Sequence, residues 1–217
     1  MSLPIIVVGA GGHAAVVADA LLEASTRVLG FTDPNESRHG SLRVGLPILG
    51  SDDILKQYTP DGLRLANGLG FVSGSGQASL RARVQRRLEM QGWTFISVIH
   101  PRAIISRHAD IGNGSQVLAG AIVQAGASVG AGTIVNTAAI VEHDAIVGDW
   151  CHIATQSTLC GQTRVGAGSL VGAGAVLRQS VVLGEDTIVG AGAVVLRDCP
   201  GGQTLCGVPA RPLGARI

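Results

Sequence analysis

The chain has 217 residues, with Lys+Arg at 16, Asp+Glu at 15 and a formal net charge of +1. That balance excludes a basic footprint for nucleic acid or an anionic membrane surface, and 46% hydrophobic residues exclude a disordered chain. Charged residues are only 14%, and 32 glycines stand against six aromatics, so small aliphatic side chains must pack in some regular way. No stretch approaches the roughly eighteen uncharged apolar residues that a membrane span needs.

The first residues carry neither a basic n-region nor a small-residue cleavage site, and read as the opening strand of a cytoplasmic protein. Residues 5–8 are a short apolar run ending in Gly9-Ala10-Gly11-Gly12-His13, and residues 14–24 read as a helix of Ala, Val and Leu. A second strand spans 27–31 and closes on Thr32-Asp33-Pro34. Residues 63–66 are a third strand, 79–91 a helix rich in Arg and Leu, and 93–99 a strand before His100-Pro101. This βαβ alternation predicts a small, mostly parallel sheet, a Rossmann-like α/β domain over residues 1–100.

The glycine-rich turn lets backbone N–H groups approach a phosphate, and the helix N-terminus behind it favours negative charge. Asp33 ends the second strand, where a ribose or sugar contact is expected. Fewer than a hundred residues precede the next region, too few for a doubly wound dinucleotide domain, so a mononucleotide or nucleotide-sugar is the better fit.

From residue 104 the texture changes. In hexads, the second position is always Ile, Val or Leu, sixteen times without insertion from Ile105 through Val123, Val141 and Ile153 to Val195. Four residues after each stands a small side chain: Ala109, Ser115, Ala121 and onward to Ala193 and Cys199. The period predicts a solenoid, three hexads closing a triangular coil of eighteen residues, with the branched residue inward on each rung. Residues 101–199 form this second domain, and 200–217 read as a terminal cap. Cys151, Cys160, Cys199 and Cys206 show no CxxC or CxxH spacing, and read as buried small residues rather than a zinc site or redox pair.

Histidines are rare on this solenoid, yet His143 and His152 fall within one coil together with Asn136. A neutral imidazole can take a proton from a nucleophile near neutral pH. Asp144 follows His143 directly, although neighbours on an extended chain point to opposite sides. Ala173 and Ala191 sit in Gly-Ala-Gly triplets eighteen residues apart, and one coil of separation stacks them on one face.

Gly9-Ala10-Gly11-Gly12-His13, the Gly68 turn, His100-Pro101, Asn136, Glu142-His143-Asp144 and His152 together resemble the bacterial nucleotide-sugar acetyltransferases of the PglD and NeuD type. The resemblance runs over nearly the whole chain and implies a left-handed parallel β-helix. It also implies a homotrimer with active sites between adjacent solenoids, acetyl-CoA as cosubstrate and no metal. The activity it implies is acetylation of the 4-amino group of a nucleotide-linked 4-amino-4,6-dideoxy sugar, for surface glycan synthesis. His143 then matches the general base and Asp144 its acidic partner. His152, Ala173 and Ala191 match acetyl-CoA contacts, and Gly11, Gly12, His13, Asp33 and Gly68 the nucleotide-sugar pocket, with Asn136 assigned to the substrate side. Two departures stand out: Asp144 where the compared member has Glu, and Pro34 where a second acidic residue follows the first. Residues 71–77, rich in Gly and Ser, add length beside Gly68.

Direct transfer is expected, since no Cys or Ser adjoins His143 as a covalent nucleophile. The rival readings are an O-acetyltransferase of a sialic-acid-like sugar, a γ-type carbonic anhydrase, and a non-enzymatic scaffold or nucleotide sensor. The anhydrase needs three zinc histidines, which His143, His152 and the distant His108 do not supply. The base of the nucleotide stays open between uracil, guanine and thymine.

Overall fold

A computed structural model of the chain describes residues 3–70 and 80–214, so the 71–77 stretch noted beside Gly68 lies outside the described residues. The chain divides into two compact units, one running up to Pro101 and one from Arg102.

The first unit contains β1 (Ile5–Val8), α1 (Gly12–Glu23), β2 (Val28–Thr32), β3 (Leu42–Arg43), β4 (Leu46–Gly50), β5 (Arg64–Asn67), α2 (Leu80–Glu89) and β6 (Val98–Ile99). Its sheet runs in the order β3-β4-β2-β1-β5. The two neighbours of β1, β2 and the edge strand β5, both lie parallel to it. Alternation along β1 splits its side chains between the two faces. Val7 sits close to Ala14 of α1, on either side of Gly68. Ile6 and Val8 join Leu55, Leu88 and Trp93 in the opposite core.

The β3–β4 hairpin was not expected from sequence. Its two-residue loop is Val44-Gly45, with φ of 43° and 77°. Such a turn requires left-handed backbone at both central residues, and Val is among the residues least suited to it, so the usual Asn-Gly signal is missing. The expected strand over 93–99 is shorter than its apolar pattern suggested: Phe95 makes a single bridge to Leu65, and the strand proper is Val98–Ile99.

The second unit is the parallel β-helix that the hexads predict. Two-residue strands recur from Ile104–Ile105 to Val194–Val195, each placing the branched residue of its hexad second. They stack in three parallel sheets whose partners lie one coil apart, as in Ile122↔Ile140, Ser128↔Ile146 and Ile134↔His152. The inward residues form one continuous core, with Val135, Val141, Ile153, Leu159 and Leu177 fully enclosed. Each buried aliphatic side chain contributes about 1.5–3 kcal/mol relative to exposure.

One column of small residues does more than fill a corner. Ser115, Thr133 and Ser169 donate their hydroxyls to the carbonyls of Gly130, Gly148 and Gly184, and the Cys151 thiol donates to Gly166 at 3.2 Å. Cys151 thus occupies a hydroxyl's place in the ladder. Burial pushes its pKa up to about 12. After Val195 the eighteen-residue register ends, and Thr204–Cys206 pairs with Ile188–Val189 before turning back as an antiparallel hairpin with Arg211–Pro212.

Candidate active site

In the first unit, the expected pocket residues converge at the carboxyl ends of β1, β2 and β5. The chain leaves β1 with neighbours on both sides, which is the switch point where open α/β sheets bind ligands. Gly11 caps α1 with extended backbone and no side-chain hydrogen bond, and the first turn carries no acidic residue. The helix therefore keeps its positive end unscreened. Among the described residues, a Cβ added at Gly11 or Gly12 would meet nothing within 4 Å. His13 lies on the first turn, half-buried, with Gly70 close over its Cβ.

Asp33 is 7% exposed and its carboxylate is engaged locally: it accepts the Asn35 N–H at 2.9 Å and forms an ion pair with Arg38. Arg38 also donates to the Ala10 carbonyl at 2.9 Å, and the Arg43 Nε donates to the Gly11 carbonyl at 2.9 Å. Two guanidinium groups thus brace the glycine-rich loop from β3 and the turn before it. Sequence reasoning missed both, because they lie 28 and 32 residues from the carbonyls they hold. Gly68 proves to be a packing requirement: a Cβ there would sit 2.6 Å from Val7 Cγ1 and 2.9 Å from the Val8 carbonyl oxygen. A cavity of about 680 Å³ reaches Gly9 and Thr32, walled by Leu55, Tyr58, Leu88 and Trp93.

In the second unit, His143 sits on the turn after Ile140–Val141. The residue after it, Asp144, has φ 58°. That left-handed conformation cancels the alternation of an extended chain, and the Asp144 Oδ2 accepts from His143 Nδ1 at 2.9 Å. The expectation that adjacent side chains diverge fails here because the two residues form a turn. Asp is one of the few non-glycine residues that tolerate this conformation. With Nδ1–H held by the carboxylate, Nε2 is the nitrogen left to accept a proton. The pair is solvent-facing in the single chain, its side chains 53% and 59% exposed.

His152 belongs to a different sheet, and the Asn136 amide donates to its Nε2 at 3.1 Å while the Asn136 Oδ1 accepts the Thr137 N–H at 2.8 Å. The coil that holds both histidines thus separates them into two clusters. Ala173 and Ala191 stack one coil apart, joined by the Gly192 N–H to the Ala173 carbonyl at 2.8 Å. Among the described residues, Cβ atoms at Gly174 and Gly192 would meet nothing within 4 Å, which leaves that edge open, whereas one at Gly172 would lie 2.6 Å from the Ala191 nitrogen.

A solenoid of hexads that carries a carboxylate-backed imidazole on one turn and an open small-residue edge on another sheet has the makings of a hexapeptide-repeat acyltransferase. Residues 4–88 match the PglD N-terminal domain model, and residues 162–197 match the bacterial transferase hexapeptide model of six repeats. The acetyltransferase domain of PglB from Neisseria gonorrhoeae FA1090, solved with acetyl coenzyme A, is 36% identical at TM-score 0.88, covering 97% of this chain and 98% of that one. PerB from Caulobacter crescentus, solved with CoA and GDP-perosamine, is 34% identical at TM-score 0.86, covering 97% of each chain. Two variants of the Caulobacter perosamine N-acetyltransferase, with one histidine replaced by asparagine or alanine, match at 33% identity and TM-score 0.87, covering 97% of each chain. No curated protein sequence matches the chain. The chain belongs to the PglD-type sugar N-acetyltransferases, whose acetyl donor is acetyl-CoA.

Proposed function

We propose that this enzyme transfers the acetyl group of acetyl-CoA to the 4-amino group of a nucleotide-linked 4-amino-4,6-dideoxy sugar, with His143 as general base. The observation that carries the reading is the 2.9 Å contact between His143 Nδ1 and Asp144, which turns Nε2 to the acceptor role. The neutral sugar amine attacks the thioester carbonyl, and the C–N bond forms as the amine proton passes to Nε2. The tetrahedral intermediate then collapses, the C–S bond breaks, and the proton leaves with the CoA thiolate. A positioned base of this kind contributes about 10²–10⁴ in rate.

The first unit serves as the nucleotide-sugar domain. The open N-terminus of α1 at Gly11, Gly12 and His13 receives the phosphates, and Asp33 acts by holding Arg38 against the loop. Gly68 keeps the floor of that pocket close-packed. The open edge at Ala173 and Ala191 receives the pantetheine arm together with His152, and Asn136, whose amide holds the His152 ring, serves the substrate side. The His143 and His152 clusters lie on different sheets of one coil, which suits a site completed by a second copy. A homotrimer sets the His143 turn of one copy against the acetyl-CoA edge of the next. A reaction between acetyl-CoA and a nucleotide-linked sugar fits the cytoplasm, in the assembly of surface glycan.

The test is thiol release from acetyl-CoA with UDP-, GDP- and dTDP-linked 4-amino sugars and their 4-hydroxy counterparts. Release with one amino sugar and none with its hydroxyl partner is expected, and it identifies the nucleotide. Release only with hydroxylated acceptors moves the activity to O-acetylation.

A further inference from the structure

The solenoid carries many glycines, and most are explained by the coil itself. At Gly130, Gly148, Gly166 and Gly184, an added Cβ would fall within 2.6 Å of backbone in the next coil. At Gly174 and Gly192 the backbone is left-handed, with φ of 67° at both. Gly161 belongs to neither group. Its φ lies outside the left-handed region, so alanine is allowed there by the backbone. The nearest atoms to an added Cβ are three, and all belong to one imidazole: His143 Nε2 at 2.4 Å, Cε1 at 2.6 Å and Cδ2 at 3.0 Å.

The repeat adds an independent observation. Two positions after each inward residue, the sixteen hexads carry Arg, Asn, Ala, Thr, His, Asp, Gln, Glu and one glycine. That glycine is Gly161, and it lies one coil, eighteen residues, after the column's single histidine, His143. Backbone ties fix the two turns together: the Gln162 N–H donates to the His143 carbonyl at 2.9 Å, and the Ser180 N–H to the Gly161 carbonyl at 3.0 Å.

We propose that Gly161 is a positioning residue, whose missing side chain is the seat on which the His143 imidazole lies while Asp144 holds Nδ1. The inference rests on the reading of His143 as the base. A methyl group at residue 161 overlaps the ring at Nε2, the atom that takes the proton. The ring then has to rotate away, which breaks its contact with Asp144 and swings Nε2 towards solvent. Since the ring is half exposed and every backbone tie survives, the displacement falls on the chemistry and spares the fold.

The experiment compares wild type, Gly161→Ala, His143→Ala and the double variant, reading kcat, both KM values and Tm. Gly161→Ala is expected to lower kcat by about 10–10², the usual consequence of displacing a reacting group by an ångström. Both KM values stay within about twofold. In the His143→Ala background, where no ring remains to displace, Gly161→Ala changes kcat by less than about twofold, as coupling through one shared group requires. Should Gly161→Ala lower Tm, the double variant regains it, because the ring is the obstacle. Wild-type kcat in Gly161→Ala overturns the inference, as does a loss that persists undiminished in the double variant or a Tm loss that the double variant keeps. If His143→Ala loses 10² or more while Gly161→Ala is unimpaired, the seat alone is wrong. Unimpaired turnover in His143→Ala overturns the base and the seat together.

Discussion

Asp144→Asn removes one charge and little else. Asn tolerates the left-handed backbone that Asp144 adopts at φ 58°, and its carbonyl can still accept from His143 Nδ1. What remains is the loss of the carboxylate's attraction for an imidazolium that forms as the proton arrives. A charge-assisted hydrogen bond of 2.9 Å is worth about 1.5–3 kcal/mol when shielded. Here the two side chains are 53% and 59% exposed, and solvent screening reduces such a pair to about 0–1 kcal/mol. One kcal/mol is about a fivefold change in rate. In steady-state assays of thiol release, Asp144→Asn therefore lowers kcat by no more than about fivefold with KM unchanged, far short of the 10²–10⁴ expected for His143→Ala. A loss of a hundredfold or more in Asp144→Asn would refute this reasoning. It would mean that the working site desolvates the pair to a degree the single chain does not.

Three further outcomes follow from the packing. Leu159→Ala empties a fully enclosed position and should cost about 2–5 kcal/mol, read as a lower midpoint in urea with an unchanged slope. Gly148→Ala should destabilise the solenoid more than Gly174→Ala in thermal melts. The first drives a Cβ to 2.6 Å from the Ala167 nitrogen, whereas the second meets open space and incurs only the left-handed penalty of about 1–2 kcal/mol; equal losses would contradict the geometry. With its pKa at about 12, Cys151 holds roughly 10⁻⁴ of its thiol as thiolate at pH 8, so iodoacetamide should leave it unlabelled until the chain is unfolded, as peptide mapping would show.

The solenoid was legible because its coil is one fixed number of residues long: a missing insertion over sixteen hexads is itself a structural statement. The column of small residues was legible in the same way, since Ser115, Thr133, Cys151, Ser169 and Thr187 recur at eighteen residues, but its hydroxyl-to-carbonyl bonds were not. The glycine-rich turn and α1 were likewise visible as a strand, a turn and a helix in order. What stayed hidden depended on contacts between distant parts of the chain or on backbone conformations that residue type does not announce. Arg38 reaches the loop at Ala10 from the turn before β3, and Arg43 reaches Gly11 from a hairpin whose Val44-Gly45 turn carries a weak signal. The His143–Asp144 contact needed the left-handed φ at Asp144, which the extended-chain rule denies. Gly161 is the one glycine of its hexad column, but only the folded coil sets it under the ring.

The most direct test of acetyl transfer to a sugar amine is the chemical identity of the product. The enzyme would be incubated with acetyl-CoA and the nucleotide-linked 4-amino sugar, and the product followed by mass spectrometry before and after neutral hydroxylamine. One acetyl group per sugar, retained through hydroxylamine as an amide and matched by one CoA thiol released, is the result predicted. An acetyl group removed by hydroxylamine, and so held as an ester, or an unmodified sugar in the presence of bound acetyl-CoA, would contradict it.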